Sequence, residues 1–155
     1  MRNACDVTLE GRPRSAPLEK TPKFAEVAAA MARIDFCMLQ TFVAGGVNTR
    51  PMSNNGDVEY DGDNWFFARA GSTKMAELHD DRRVQLTFAD NDAPSFISVW
   101  GTASIVDDIE LKQRMWHASL ERWFENGPED PEVALIRVTA ERIQTWGRVG
   151  DFVLE

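Results

Sequence analysis

The chain has 155 residues, of which 43% are hydrophobic, and a formal net charge of −8. This length and apolar content suit one domain with its own core, and an acidic surface repels phosphate backbones, which disfavours general nucleic-acid binding. No apolar run reaches the roughly 18 to 20 residues of a membrane-spanning helix, and the amino terminus lacks a signal-peptide pattern. We therefore expect a cytoplasmic protein with no membrane or nucleic-acid partner.

The amino-terminal residues 1–21 are polar and show no apolar periodicity. They are predicted to form a mobile leader, which leaves residues 22–155 as a single folded domain. From Pro22, apolar residues recur at helical spacing, and this pattern predicts a short helix that ends near Arg33.

After this helix the pattern changes to short apolar runs that are separated by turn residues such as Gly45-Gly46. Six or seven runs at near-regular spacing predict a mainly β protein with flanking helices, built as a barrel or sandwich. Gly101 falls inside one run, where it would suit a bend in the sheet. The predicted strands cover residues 34–44, 49–54, 63–68, 84–90, 96–106, 134–139 and 142–146.

Two further helices are predicted between these strands. One opens at Gly71-Ser72-Thr73-Lys74 and runs to about Asp80. The other is predicted as a single helix, with Asp107 as its cap and Glu110 at capping-box spacing, that continues to Asn126-Gly127-Pro128.

Arg50 and the start of the second helix are the candidate anion-binding elements. Because Arg50 precedes Pro51, its backbone should be extended, and the proline should place this strand at a sheet edge or bulge. Ser72, Thr73 and Lys74 would add hydroxyls and an ammonium to the free amides of a helix start. Each feature alone also fits an ordinary surface arginine or helix cap, but together they indicate a phosphate site.

Aromatic residues supply the candidate apolar wall. In the run Trp65-Phe66-Phe67 successive side chains point to opposite faces, so one ring must meet a helix, a partner chain or a planar ligand. Trp146 closes the last predicted strand, where it could cover a cofactor ring. Cys37 is interpreted as a core residue, and no hydrolytic or zinc-binding motif is present.

The order of these motifs resembles the pyridoxamine 5'-phosphate oxidase-like superfamily, and within it the general stress protein 26-type branch of flavin-binding split barrels. The resemblance extends over about residues 22–147. The matching motifs are Thr41, Arg50-Pro51-Met52, Trp65-Phe66-Phe67, Ser72-Thr73-Lys74, Val99-Trp100-Gly101-Thr102-Ala103, Trp116, Trp123-Phe124 with Gly127, Asp130-Pro131 and Trp146.

The resemblance implies a homodimer of six- to seven-stranded antiparallel split β-barrels, of the FMN-binding split barrel type, with flavin at the subunit interface. FMN is the expected cofactor, and FAD is the alternative. By this similarity Arg50, Ser72 and Lys74 would hold the flavin phosphate with help from Thr73, and Trp146 would approach the ring from the partner subunit. The strand at Pro51 and Met52 would lie along the ring, with Phe67 and Ala68 near the ribityl chain.

The same resemblance implies a low-specificity flavin-dependent oxidoreductase or reductase with a small-molecule electron donor or acceptor. Pyridoxamine 5'-phosphate oxidation is disfavoured, because Arg148 alone stands where those oxidases carry a carboxy-terminal arginine and histidine pair. Two alternatives stay open: a non-catalytic flavin-binding stress or sensor protein, and a cofactor-free dimeric barrel.

Overall fold

The computed structural model describes residues 16–155, and within this range no helix is long and apolar enough to cross a membrane. The described chain forms seven strands, three α-helices and one 3-10 helix. In chain order these are α1 (Pro22–Ala32), β1 (Phe36–Val43), β2 (Gly46–Ser53), β3 (Asp63–Arg69), α2 (Thr73–Asp80), β4 (Arg83–Asp90), β5 (Ser95–Val106), α3 (Ile109–Met115), the 3-10 helix (Ala118–Arg122), β6 (Val133–Gly147) and β7 (Phe152–Leu154).

All seven strands belong to one antiparallel sheet in the order β2-β1-β4-β5-β6-β3, and β7 also pairs with β6. Among the described residues no pairing joins β2 to β3, so the sheet does not close. Strand β2 therefore lies at a sheet edge, which is one of the two positions, edge or bulge, that Pro51 predicts, because proline has no N–H to donate within a central strand. The predicted mainly β fold with flanking helices is confirmed.

A row of fully buried side chains crosses four neighbouring strands. Leu39 of β1 pairs with Leu86 of β4, Leu86 with Val99 of β5, and Val99 with Ile143 of β6. Each of these side chains has 0% exposure. Helix α1 contributes buried residues such as Val27 to the same cluster. This row defines the inner face of the sheet. On each strand, the residues immediately before and after the row member point to the outer face.

Strand β6 is one continuous strand of 15 residues, whereas the sequence pattern predicts two strands at 134–139 and 142–146. That division was wrong, because the interruption is a bulge rather than a turn. Trp100 pairs with Arg142 and Gly101 with Ala140, so Glu141 is the extra residue on β6. Gly101, where the sequence predicts a bend, therefore lies opposite this bulge.

The predicted single helix capped by Asp107 was also wrong. Helix α3 ends at Met115, and the cap is Asp108, whose carboxylate accepts a hydrogen bond from Leu111 N at 3.1 Å. Trp116 has extended backbone angles and packs its ring edge-on against Phe67, with 5.2 Å between centroids. The extended backbone at Trp116 lets the ring pack on Phe67, so the helix ends here. A 3-10 helix follows.

Residues 1–15 of the predicted mobile leader lie outside the described residues. The last leader residues take part in the fold, since Leu18 is buried with the main core and Thr21 caps α1 by accepting a hydrogen bond from Phe24 N at 3.2 Å. Cys37 is buried as expected, and desolvation raises the pKa of its thiol to about 12. This thiol is therefore protonated at neutral pH.

Candidate functional site

Arg50 projects from the inner face of the edge strand β2. It pairs with Leu39, and its side chain is 20% exposed. Arg50 Nη1 donates to Thr41 Oγ1 at 2.8 Å, and Nη2 donates to Glu77 Oε2 at 2.8 Å. Two of the five N–H donors of this arginine are thus engaged by residues in the described part of the chain.

Glu77 is the centre of this polar cluster. Its carboxylate accepts hydrogen bonds from Thr41 Oγ1 and Asn48 Nδ2, each at 2.5 Å, as well as from Arg50. The Thr41 hydrogen bond is the largest cause that lowers the pKa of Glu77; desolvation opposes it, while Asn48 and Arg50 lower the pKa further. Glu77 is therefore ionised at neutral pH, and its side chain fixes the position of Arg50.

Helix α2 brings the second group of predicted residues to this end of the sheet. Ser72 is its N-cap residue, but the Ser72 hydroxyl is buried without a hydrogen-bond partner in residues 16–155. Thr73 is exposed and Lys74 is half-buried. Desolvation, and then the positive charge of Arg50, lower the pKa of Lys74, while Glu77 opposes this shift. Two cations and an unpaired hydroxyl thus occupy one region.

The outer face of the sheet carries an apolar groove of about 280 Å³. Its walls include four large exposed side chains on three strands: Phe36, Met38, Phe96 and Trp146, with exposures of 50, 38, 42 and 43%. Pro51 extends this surface, because it pairs with Met38 across β1 and β2. Neighbouring residues Arg50 and Pro51 therefore connect the polar cluster on one face to the apolar groove on the other.

The remaining predicted site residues are packed inside the single chain. Phe67 is 9% exposed and lies under the Trp116 ring, in a small cluster with the 3-10 helix. Ala68 and Met52 are buried in the main core, with 2% and 7% exposure. The outward ring of the aromatic run thus meets a helical segment, which was one of the three expected partners.

Sequence reasoning missed Glu77 and Asn48 as members of the cluster. A signal for Glu77 existed, because positions 74, 77 and 78 share one helix face, which brings its carboxylate toward Lys74 and the sheet. For Asn48 the hairpin register provides the signal, since Asn48 pairs with Thr41. Residues 16–155 contain no group of three side chains that could hold a metal ion.

Glu77→Gln should be less stable than the parent protein at neutral pH, by about 1 to 3 kcal/mol, because charge-assisted hydrogen bonds weaken. Since folding lowers the pKa of Glu77 below 4.5, its contribution is complete above pH 4.5 and is lost as pH falls through the folded-state pKa. Urea denaturation across this acid range measures the difference. A pH-independent gap would contradict the ionised cluster, and exposed Asp80→Asn is the matched control.

Arg50, Lys74 and the start of α2 form a cationic corner of the sheet. The open antiparallel sheet, this corner and the apolar outer face together define a split-barrel protein with a candidate anion site. A family model described as "Pyridoxamine 5'-phosphate oxidase like" matches residues 22–154. The chain belongs to this family.

Two curated relatives match parts of the chain. Protein bli-3 of Neurospora crassa is 35% identical over 81 residues, which cover 47% of this chain and 39% of that protein. General stress protein 26 of Bacillus subtilis is 36% identical over 50 residues, which cover 32% of this chain and 35% of that protein. The matches thus span less than half the length of either relative.

A solved structure, the general stress FMN/FAD binding protein of Xanthomonas citri, has 29% identity and a TM-score of 0.71. The alignment covers 85% of this chain and 94% of that one. The two chains therefore share one overall fold.

Proposed function

We propose that the chain binds a flavin, with FMN as the expected form and FAD as the alternative, and acts as a low-specificity flavin-dependent oxidoreductase. The observation that carries the proposal is the convergence of Arg50, Lys74 and the unpaired Ser72 hydroxyl at the start of α2. The family membership and the FMN/FAD-binding relative support the same cofactor class.

The residues at this corner fit a phosphate group. Arg50 keeps three N–H donors that have no acceptor in the described part of the chain, and the first-turn amides of Thr73 and Lys74 lack intrahelical acceptors. A buried hydroxyl without a partner costs free energy, so an oxygen acceptor near Ser72 Oγ would remove a penalty. The positive end of the helix adds to the attraction for an anion.

The apolar groove supports a homodimer with the flavin between two subunits. The three aromatic side chains and the methionine on its walls would be buried by a second copy, since a monomer rarely leaves such side chains clustered in water. In this arrangement Trp146 would cover the flavin bound by the partner. Phe67 and Ala68 of β3, which are buried within the single chain, would lie near the ribityl chain.

A bound flavin supplies hydride transfer, for which the protein needs to provide position and field rather than an acid or base. In this chain Arg50 and Lys74 would bind and orient the phosphate, while Met38, Phe96 and Trp146 would exclude water from the ring. We assign no catalytic role to either histidine, because His79 is 84% exposed and His117 contacts Ser119.

The oxidoreductase proposal is tested by adding NADH or NADPH to the flavin-loaded protein without oxygen. Rapid bleaching of the visible flavin absorbance by either donor supports turnover. Flavin that binds but stays oxidised with both donors contradicts the enzyme and leaves the binding or sensor protein.

Phe96→Asp should convert the proposed dimer into a monomer, because a carboxylate on the wall of the apolar groove would be buried in the interface. The expected loss of dimer stability is about 2 kcal/mol or more, the range of an interface hot spot. Sedimentation velocity measures the mass. Ile105→Asp is the matched control, since Ile105 lies on the same strand with 44% exposure but outside the groove. Equal behaviour of the two variants would contradict this interface.

A further inference from the structure

We infer that Glu77 is a specificity-determining residue that reduces the preference of the phosphate site for the doubly charged phosphate of FMN relative to the singly charged phosphate of FAD. This inference rests on the proposed flavin site. It deepens that proposal by assigning the charge selectivity of the site to a residue that the family resemblance did not supply.

The Glu77 carboxylate lies beside the proposed phosphate site. Glu77 is 9% exposed and accepts hydrogen bonds from Arg50, Thr41 and Asn48. One of these donors, Arg50, is also the arginine proposed to hold the phosphate. A fixed negative charge beside an anion site opposes the ligand, so it lowers the affinity for phosphate while it orients the arginine.

The charges around the proposed phosphate site do not cancel. Arg50 and Lys74 contribute two positive charges and Glu77 one negative charge, which leaves a net charge of +1. A phosphate monoester such as that of FMN carries close to two negative charges at neutral pH, because its second pKa is about 6. Each phosphate of FAD has one ester bond and one anhydride bond to the other phosphate, and it carries one negative charge. The net charge of +1 at this corner therefore balances one phosphate of FAD. It leaves close to one negative charge of the FMN phosphate uncompensated.

The Glu77 charge is close enough to change flavin affinity measurably. At contact distances and the effective dielectric of a half-buried site, one additional unit charge changes affinity by about tenfold or more. The second phosphate of FAD lies farther away and reduces the contrast between the two ligands. We therefore expect removal of the Glu77 charge to shift the ratio of the FAD and FMN dissociation constants by about fivefold in favour of FMN.

The experiment titrates the parent protein, Glu77→Gln and Asp80→Asn with riboflavin, FMN and FAD by calorimetry near neutral pH. Asp80 is the matched control, because it removes the same charge from the same helix but is 87% exposed. We expect Glu77→Gln to strengthen FMN binding more than FAD binding and to leave riboflavin binding unchanged. Near pH 5, where the FMN phosphate is singly charged, the contrast should largely disappear.

An unchanged FAD to FMN ratio in a variant that still binds flavin overturns the inference and leaves the proposed function intact. Failure of the parent protein to bind any of the three flavins overturns the proposed function instead. Because Glu77 also orients Arg50, circular dichroism must show that the variant is folded. Glu77→Ala is the second variant; it removes the same charge without an added amide and carries the same expectation.

Discussion

Arg50→Ala should weaken flavin binding by about 1.5 to 3 kcal/mol, the range for a charge-assisted hydrogen bond. Lys74→Ala should have an effect in the same range. We expect the Arg50 variant to lie at the upper end, because it also leaves the Glu77 carboxylate without its cation beside the phosphate. Titration with FMN, followed by quenching of flavin fluorescence, measures both affinities.

Matched controls separate the phosphate site from general effects of charge. Lys20→Ala and Arg33→Ala each remove one positive charge from an exposed position, just before and just after α1. These variants should bind FMN as the parent protein does. Unchanged affinity in both Arg50→Ala and Lys74→Ala would remove the proposed site, whatever cofactor the protein binds elsewhere.

Gly101→Ala should destabilise the fold by about 2 to 3 kcal/mol, as expected for overpacking against atoms that cannot move aside. A Cβ at this position would lie 2.3 Å from the Thr139 carbonyl oxygen and 3.0 Å from its carbon. These are backbone atoms of β6 next to the bulge, so relief requires the two strands to separate. Urea denaturation gives the difference in free energy of unfolding.

Gly46→Ala is the control for loss of a glycine from a strand. A Cβ there would meet no atom within 4 Å, and the residue does not have a positive φ. We expect its stability to stay within about 0.5 kcal/mol of the parent, or to rise slightly through lower entropy of the unfolded chain. If Gly101→Ala unfolds at the same urea concentration as Gly46→Ala, the close approach of β5 and β6 is incorrect.

The parts of the fold that were predictable from sequence are those determined by local chemistry. Alternating apolar residues located the strands, and the missing N–H of Pro51 predicted an edge or a bulge, of which β2 has the edge. The interior glycine at position 101 predicted a bend, and this glycine lies opposite the bulge at Glu141. These signals act within a few residues and do not depend on the rest of the chain.

The parts that were not predictable depend on tertiary contacts. The end of α3 is determined by Trp116, whose ring packs on Phe67 from a strand almost fifty positions earlier in the sequence. The ion pair between Arg50 and Glu77 likewise joins β2 to α2. The sequence indicated the cations of the candidate site through a helix start and a strand, but its counter-charge became visible only when α2 was placed against β1.

The most direct test of the account is calorimetric titration of the purified, flavin-free protein with FMN, with riboflavin as the ligand that lacks only the phosphate. We predict about one flavin bound per chain, and FMN affinity at least about tenfold higher than riboflavin affinity, because the charged corner acts on the phosphate. A protein that binds no flavin, or that binds riboflavin as tightly as FMN, would contradict the phosphate site at Arg50 and Lys74.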